Sequence, residues 1–170
     1  MNEVETDNPS LADELLIVRH SGEIPEVALH GSLYYLTRAA DGPGLELRAR
    51  EIRALQAMVV ERYREIIRRD LDPGNRDLGL YRGVMRASVN WRRLTCFCRK
   101  EGWVLEAYRR EVAQALLVFL ANEIAETRTG ARSSAINCGS GELRDFAREL
   151  GLAPADLPAG WLGLCPAPER

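Results

Sequence analysis

Four features of this sequence carry residue types capable of chemistry: its cysteines, its two histidines, a glycine- and serine-rich loop, and its arginines. Cys96 and Cys98 form a C-x-C pair, with Cys138 and Cys165 far off in the chain. Zinc-binding thiolates usually come in pairs spaced by two to four residues. Two residues apart on a helix, side chains point about 200° away from each other, which disfavours a shared metal. The expectation is a pair of buried structural thiols and no metal site. His20 and His30 are the only histidines. A di-iron bundle needs Glu-x-x-His pairs, but Ile17 and Val27 stand three residues before them. Neither C-x-x-C-H nor H-E-x-x-H occurs. His30, beside Gly31-Ser32 and close to Tyr34 and Tyr35, is kept as a candidate ligand-binding group.

The loop INCGSGELRDF sets glycines and serines before a helix start, where backbone N–H groups can hold an anion. It lacks both G-x-G-x-x-G and the P-loop lysine. It reads as a connector with Ser140 as the N-cap. Cys138 lies close enough to that terminus for a lowered pKa, yet no histidine is adjacent in sequence to activate it. FARELGLAPADL, residues 146–157, resembles a helix-turn-helix through Ala147, Gly151, Leu152 and Leu157. Pro158 cuts its second helix to one turn, and no basic residue follows until Arg170, so a DNA-reading role is not expected.

The arginines are the strongest signal. Residues 46–100 carry fourteen basic and seven acidic groups, whereas residues 1–45 carry two basic and eight acidic, in a chain of net charge −2. Of the 23 basic residues only Lys100 is lysine. Arginine offers bidentate contacts to carboxylate or phosphate that lysine does not. At about 100° per residue, Arg82, Arg86, Arg93 and Lys100 fall on one narrow stripe. Leu80, Tyr81, Val84, Ala87, Ser88, Trp91, Leu94, Thr95 and Cys98 fall on a broad arc opposite, with Met85 and Cys96 at its edge. Arg92 and Arg99 interrupt the arc; they snorkel, pair with an acid or mark a polar groove.

These patterns require helices to position them. DLGLYRGVMRASVNWRRLTCFCRK, residues 77–100, is predicted to form one, with Asn75 as N-cap and Gly102 as its stop. Gly83 and Ala87, four apart, let another helix come close. A longer helix is expected over 45–71, with Ile52, Leu55, Val59, Tyr63 and Ile66 as its stripe. Asp72-Pro73-Gly74-Asn75 breaks it. A third runs from about Trp103 to Thr127. Its middle, VAQALLVFLA, is apolar on nearly every side, which predicts burial all round as the hub of a bundle or one helix of a dimer interface. A short helix over 142–150 is closed by Gly151, and Trp161, Leu162 and Leu164 are expected to tuck onto the bundle. Residues 25–40 read as a helix, with a β-hairpin over 14–36 as the alternative.

The fold class is therefore all-α: a single-domain helical bundle of three long helices plus two or three short ones. Residues 1–10 form a flexible N-terminus, 11–152 the bundle, and 153–170 a proline-rich tail packing on it. No secretory segment and no apolar run of spanning length is visible, and four cysteines without a leader suggest reduced thiols in the cytoplasm. With no catalytic constellation and no cofactor motif, the reading is a non-catalytic accessory or adaptor protein. It presents an Arg-rich helix to an acidic protein partner or a nucleic acid. Two alternatives stand beside it. One is a ligand-binding or enzymatic bundle in which Arg92, Arg99, Tyr34, Tyr35 and His30 fix an anion. The other is a structural homodimer through residues 112–121.

Overall fold

Helix breakers divide the chain where the sequence places them. The structure, a computed structural model, describes residues 49–75, 83–100, 105–130 and 138–165, with the backbone alone for 49–55, 97, 99 and 100. Four α-helices follow in order: α1 Ala49–Asp70, α2 Gly83–Lys100, α3 Glu106–Arg128 and α4 Ser140–Glu149. Two 3-10 turns, Pro154–Asp156 and Trp161–Leu164, complete the tail. The described residues contain no strand, and the all-α class is as expected. The segments 11–48, including the helix-or-hairpin alternative over 14–36, lie outside the described residues. The chain divides into two compact units, 1–62 and 63–170, and α1 begins in the first and ends in the second. Of the first unit only the opening of α1 is described, with Val59 fully buried. Every later element belongs to the second.

The end of α1 buries Tyr63 and Ile66 on the predicted stripe and adds Ile67 and Leu71 beside it. Pro73 cannot continue a helix, and Gly74 N–H donates to Asp72 Oδ1 at 2.8 Å in a local turn. The cap expected from Asn75 would act on residues 76–82, which lie outside the described residues. Asn75 Nδ2 donates to the Arg69 carbonyl at 3.1 Å and so satisfies an open acceptor at the end of α1.

In α2 the buried positions are Gly83, Val84, Ala87, Ser88, Asn90, Trp91, Leu94 and Cys98, an arc close to the predicted one. Val89, Arg92, Arg93 and Cys96 are exposed. Cys96 therefore departs from the expected pair of buried thiols; only Cys98 is inside. The small pair does what small pairs do. A Cβ on Gly83 would stand 2.9 Å from Phe119 Cζ and 3.0 Å from the Asp70 carbonyl oxygen. Ala87, fully buried, continues this close side of the helix.

Helix α3 supplies the centre of the core through Val112, Leu116, Phe119, Leu120 and Ile124. Fully burying one such large side chain contributes about 1.5–3 kcal/mol. It is not buried all round, however: Gln114, Val118, Ala121 and Ala125 are exposed, Val118 by 49 %. Helix α4 starts at Ser140, so Gly139 rather than Ser140 is the N-cap. The Glu142 side chain accepts from Gly139 N–H at 3.0 Å. Gly151, at φ 81°, ends it as predicted. Leu152 N–H bonds back to the Ala147 carbonyl and Gly151 N–H to that of Arg148, the paired closure a left-handed glycine permits.

Gly151 lies against Arg109 near the start of α3, and Gly160 lies against Ile124 and Arg128 near its end. The tail thus runs back along α3. It buries Leu157, Trp161 and Leu164, while Leu162, expected to tuck in, is 54 % exposed. The second helix of the helix-turn-helix resemblance is reduced to the three-residue turn Pro154–Asp156.

Candidate functional site

Helix α2 carries Arg86, Arg92, Arg93, Arg99 and Lys100 and no carboxylate. Its exposed positions 89, 92, 93 and 96 keep i, i+3, i+4, i+7 spacing and form one stripe. Arg92 and Arg93 stand together on it. Arg86, on the predicted cationic stripe, is turned toward the end of α1, where its Nε lies 3.4 Å from Asp70 Oδ2. Arg92 Nε donates to Glu149 Oε1 at 2.9 Å and ties α2 to α4. This is the pairing with an acid that an arginine interrupting an apolar arc calls for. Arg82, His30, Tyr34 and Tyr35 lie outside the described residues, as do the side chains of Arg99 and Lys100.

Beside this stripe the helices are joined by charge and aromatic contact. Arg64 Nη2 and Nε donate to Glu111 Oε2 at 2.7 and 3.0 Å, and Arg68 pairs with the other oxygen. Partial burial works against the Glu111 carboxylate, but hydrogen bonds from Arg68 and Arg64 outweigh it and hold the pKa below the usual range. The Arg64 guanidinium also lies 5.5 Å from the centre of the Tyr108 ring, which meets Trp91 at 5.7 Å. Tyr63 is wholly buried, and burial pushes its phenol up against the opposing charge of Arg93.

Asp70 is the exception among the acids. Only 1 % exposed, it ends α1, where the helix dipole opposes a negative charge. Neither carboxylate oxygen has a hydrogen-bond partner among the described residues. Burial raises its pKa to about 6, with Arg69 acting the other way.

Among the described residues no group of three or more His, Cys, Asp or Glu suited to a metal occurs. Cys138, at the start of α4, has its thiol pushed up to about 12 by burial, with Cys165 and Glu142 adding to the effect. The lowered value its position suggested is overturned, because burial exceeds any help from the helix terminus.

Sequence reasoning did not find the acids that engage these arginines, Asp70, Glu111 and Glu149, nor Val89 as part of the exposed stripe. The acids are joined to their arginines over separations of up to 57 residues. No local pattern marks such pairs. Val89 is 39 % exposed within the cationic stripe, so that face is amphipathic rather than purely charged. No helix among the described residues is long and apolar enough to cross a membrane. Charge attraction and apolar contact are what this surface offers a partner.

No curated protein and no solved structure matches the chain. A family model matches residues 6–152, most of its length, and the chain belongs to that family, described as a repeat of unknown function (DUF7826).

Proposed function

We propose that this chain is a non-catalytic helical accessory protein that docks an acidic protein segment on the exposed face of α2. The observation that carries the reading is the charge of that helix: five cations and no carboxylate, with Arg92, Arg93 and Val89 on one solvent-facing stripe. Exposed Val89 favours a protein partner, which offers apolar side chains between its acids. A single-stranded nucleic acid would gain from exposed aromatic rings to stack on, and Trp91 of α2 is 2 % exposed.

Fluorescence anisotropy with a labelled peptide rich in Asp, Glu and Leu tests the reading, with single-stranded RNA as the comparator. Binding should weaken as salt rises, and Arg93→Glu should reduce affinity about tenfold or more. Association with RNA and not with the peptide would replace the partner class. No association with either at low salt would remove the reading.

A further inference from the structure

The tail returns one thiol to the neighbourhood of another. Cys138 stands two residues before α4 and is 4 % exposed. From there α4 leads to Gly151, which lies against Arg109 of α3. The tail then reverses, and Gly160 lies against Ile124 and Arg128 toward the far end of α3. The reversal carries the 3-10 turn Trp161–Leu164 back to the first half of α4, where the Arg144 guanidinium lies 5.5 Å from the centre of the Trp161 ring. Cys165 closes that turn, partly covered, with its thiol donating to the Trp161 carbonyl oxygen at 4.0 Å. The electrostatics agree with this placement. Burial raises both thiols, the charge of Cys165 adds to the rise at Cys138, and Arg144 acts the other way on Cys165. Coulombic influence falls with distance, so Cys138, Arg144 and Cys165 form one cluster.

We infer that Cys138 and Cys165 are the two halves of a redox latch, a disulfide that fastens the tail to the start of α4. With both thiols reduced, the tail is held only by non-covalent contacts, those of the buried Leu157, Trp161 and Leu164 among them. The oxidant is a low-molecular-weight disulfide such as oxidised glutathione. Cys165, the less covered of the two, gives its proton to water, and its thiolate attacks one sulfur of the oxidant. One glutathione thiolate leaves, and a mixed disulfide forms on Cys165. Cys138 then loses its own proton, attacks the Cys165 sulfur and expels the second glutathione. Two protein thiols are oxidised, one disulfide is reduced to two glutathione thiols, and those thiols take up the two protons. The first step is slow, because burial raises both thiols and so lowers the thiolate fraction. The second is intramolecular and fast. Cys96 and Cys98 do not form such a pair: two apart on α2, one is exposed and the other buried.

Treatment of the folded full chain with oxidised glutathione at pH 8, then tryptic digestion without reduction and mass spectrometry, tests the latch. Peptide 133–144 should be joined to peptide 149–170 as the main cross-link. The same treatment in urea should scatter the links among all four cysteines. Closing this loop should raise the thermal midpoint by on the order of 5–10 °C over the reduced chain, and dithiothreitol should return it. Cys165→Ser and, separately, Cys138→Ala should each abolish the link and the shift, whereas Cys96→Ser should leave both. Each variant is compared with its own reduced form, and circular dichroism shows that it is folded. A glutathione adduct on Cys165 with Cys138 still reduced would overturn the inference. So would a main link through Cys96, both thiols left reduced, or the same link in equal yield from the unfolded chain.

Discussion

Arg86 stands 3.4 Å from Asp70 without donating a hydrogen bond to it. The guanidinium is more than one-third exposed, while the carboxylate is almost wholly enclosed at the end of α1. Such a pair attracts weakly across its gap, and the cost of taking the carboxylate out of water is not recovered. Burial accordingly raises Asp70 from its ordinary 3.8 to about 6.

The consequence is a stability that falls as pH rises. Between those two values the folded chain holds a proton on Asp70 that the unfolded chain has lost. The contribution is fully present below about pH 4 and is lost as pH passes through about 6. Asp70→Asn keeps the shape and removes the charge. It should raise stability at pH 7 by about 1–3 kcal/mol and flatten the dependence between pH 4 and 7. Urea denaturation of both proteins at pH 4.5, 5.5 and 7 checks it, and an Asn variant less stable than wild type at pH 7 would contradict the account.

Glu111 has the opposite slope. Hydrogen bonds from Arg68 and Arg64 hold its pKa down despite partial burial. Its contribution is present above the unfolded value and fades as pH falls through the depressed folded value. The side chain is 33 % exposed and its partners more so, so solvent screening reduces the effect. Glu111→Gln should cost roughly 1 kcal/mol at pH 7 and less at pH 3. Denaturation midpoints at the two values measure the difference. An equal loss at both would assign the effect to packing instead of charge.

The helices were legible in the sequence because their periodicity is local. Tyr63, Ile66, Trp91, Leu94 and Cys98 repeat at helical spacing, and each is buried. The exposed flank of α3 was not legible. Its residues are Gln, Val and Ala, which composition alone reads as core. Cys96 was misplaced for a related reason: it sits at the margin of the apolar arc, where burial depends on which neighbour arrives. The ion pairs were hidden most completely. Arg64 and Glu111 are 47 residues apart, and only the packing of α1 on α3 brings them together. That arginines would pair with acids was foreseeable; which acids they would choose was not.

Gly83 is predicted to tolerate no side chain. Its φ is +29°, and a Cβ would meet Phe119 Cζ at 2.9 Å and the Asp70 carbonyl oxygen at 3.0 Å. Neither the buried ring nor the backbone atom can move away cheaply. Gly83→Ala should destabilise by about 2–4 kcal/mol through strain and overpacking. Gly141 is the control: it lies in the first turn of α4, and a Cβ there would meet nothing within 4 Å. Gly141→Ala should be neutral or stabilising by up to about 1 kcal/mol. Thermal melts of the two variants side by side decide the matter; similar losses would mean that the tight approach at Gly83 is not the cause.

The four thiols should separate by exposure. Cys96 lies on the solvent-facing stripe of α2, Cys98 and Cys138 are buried, and Cys165 is partly covered. Burial also pushes the Cys138 and Cys165 thiols up, which lowers the thiolate fraction that reacts. Titration of the native protein with an aromatic disulfide reagent at pH 7.5 should therefore show one fast thiol. Cys96→Ser should abolish the fast phase, while Cys138→Ser should leave it unchanged. The remaining thiols should react at the rate at which the fold opens, and so accelerate together in urea. A second fast thiol that disappears in Cys98→Ser, and not in Cys165→Ser, would place Cys98 outside the core, and with it the rotation of α2 that sets Arg92 and Arg93 toward solvent.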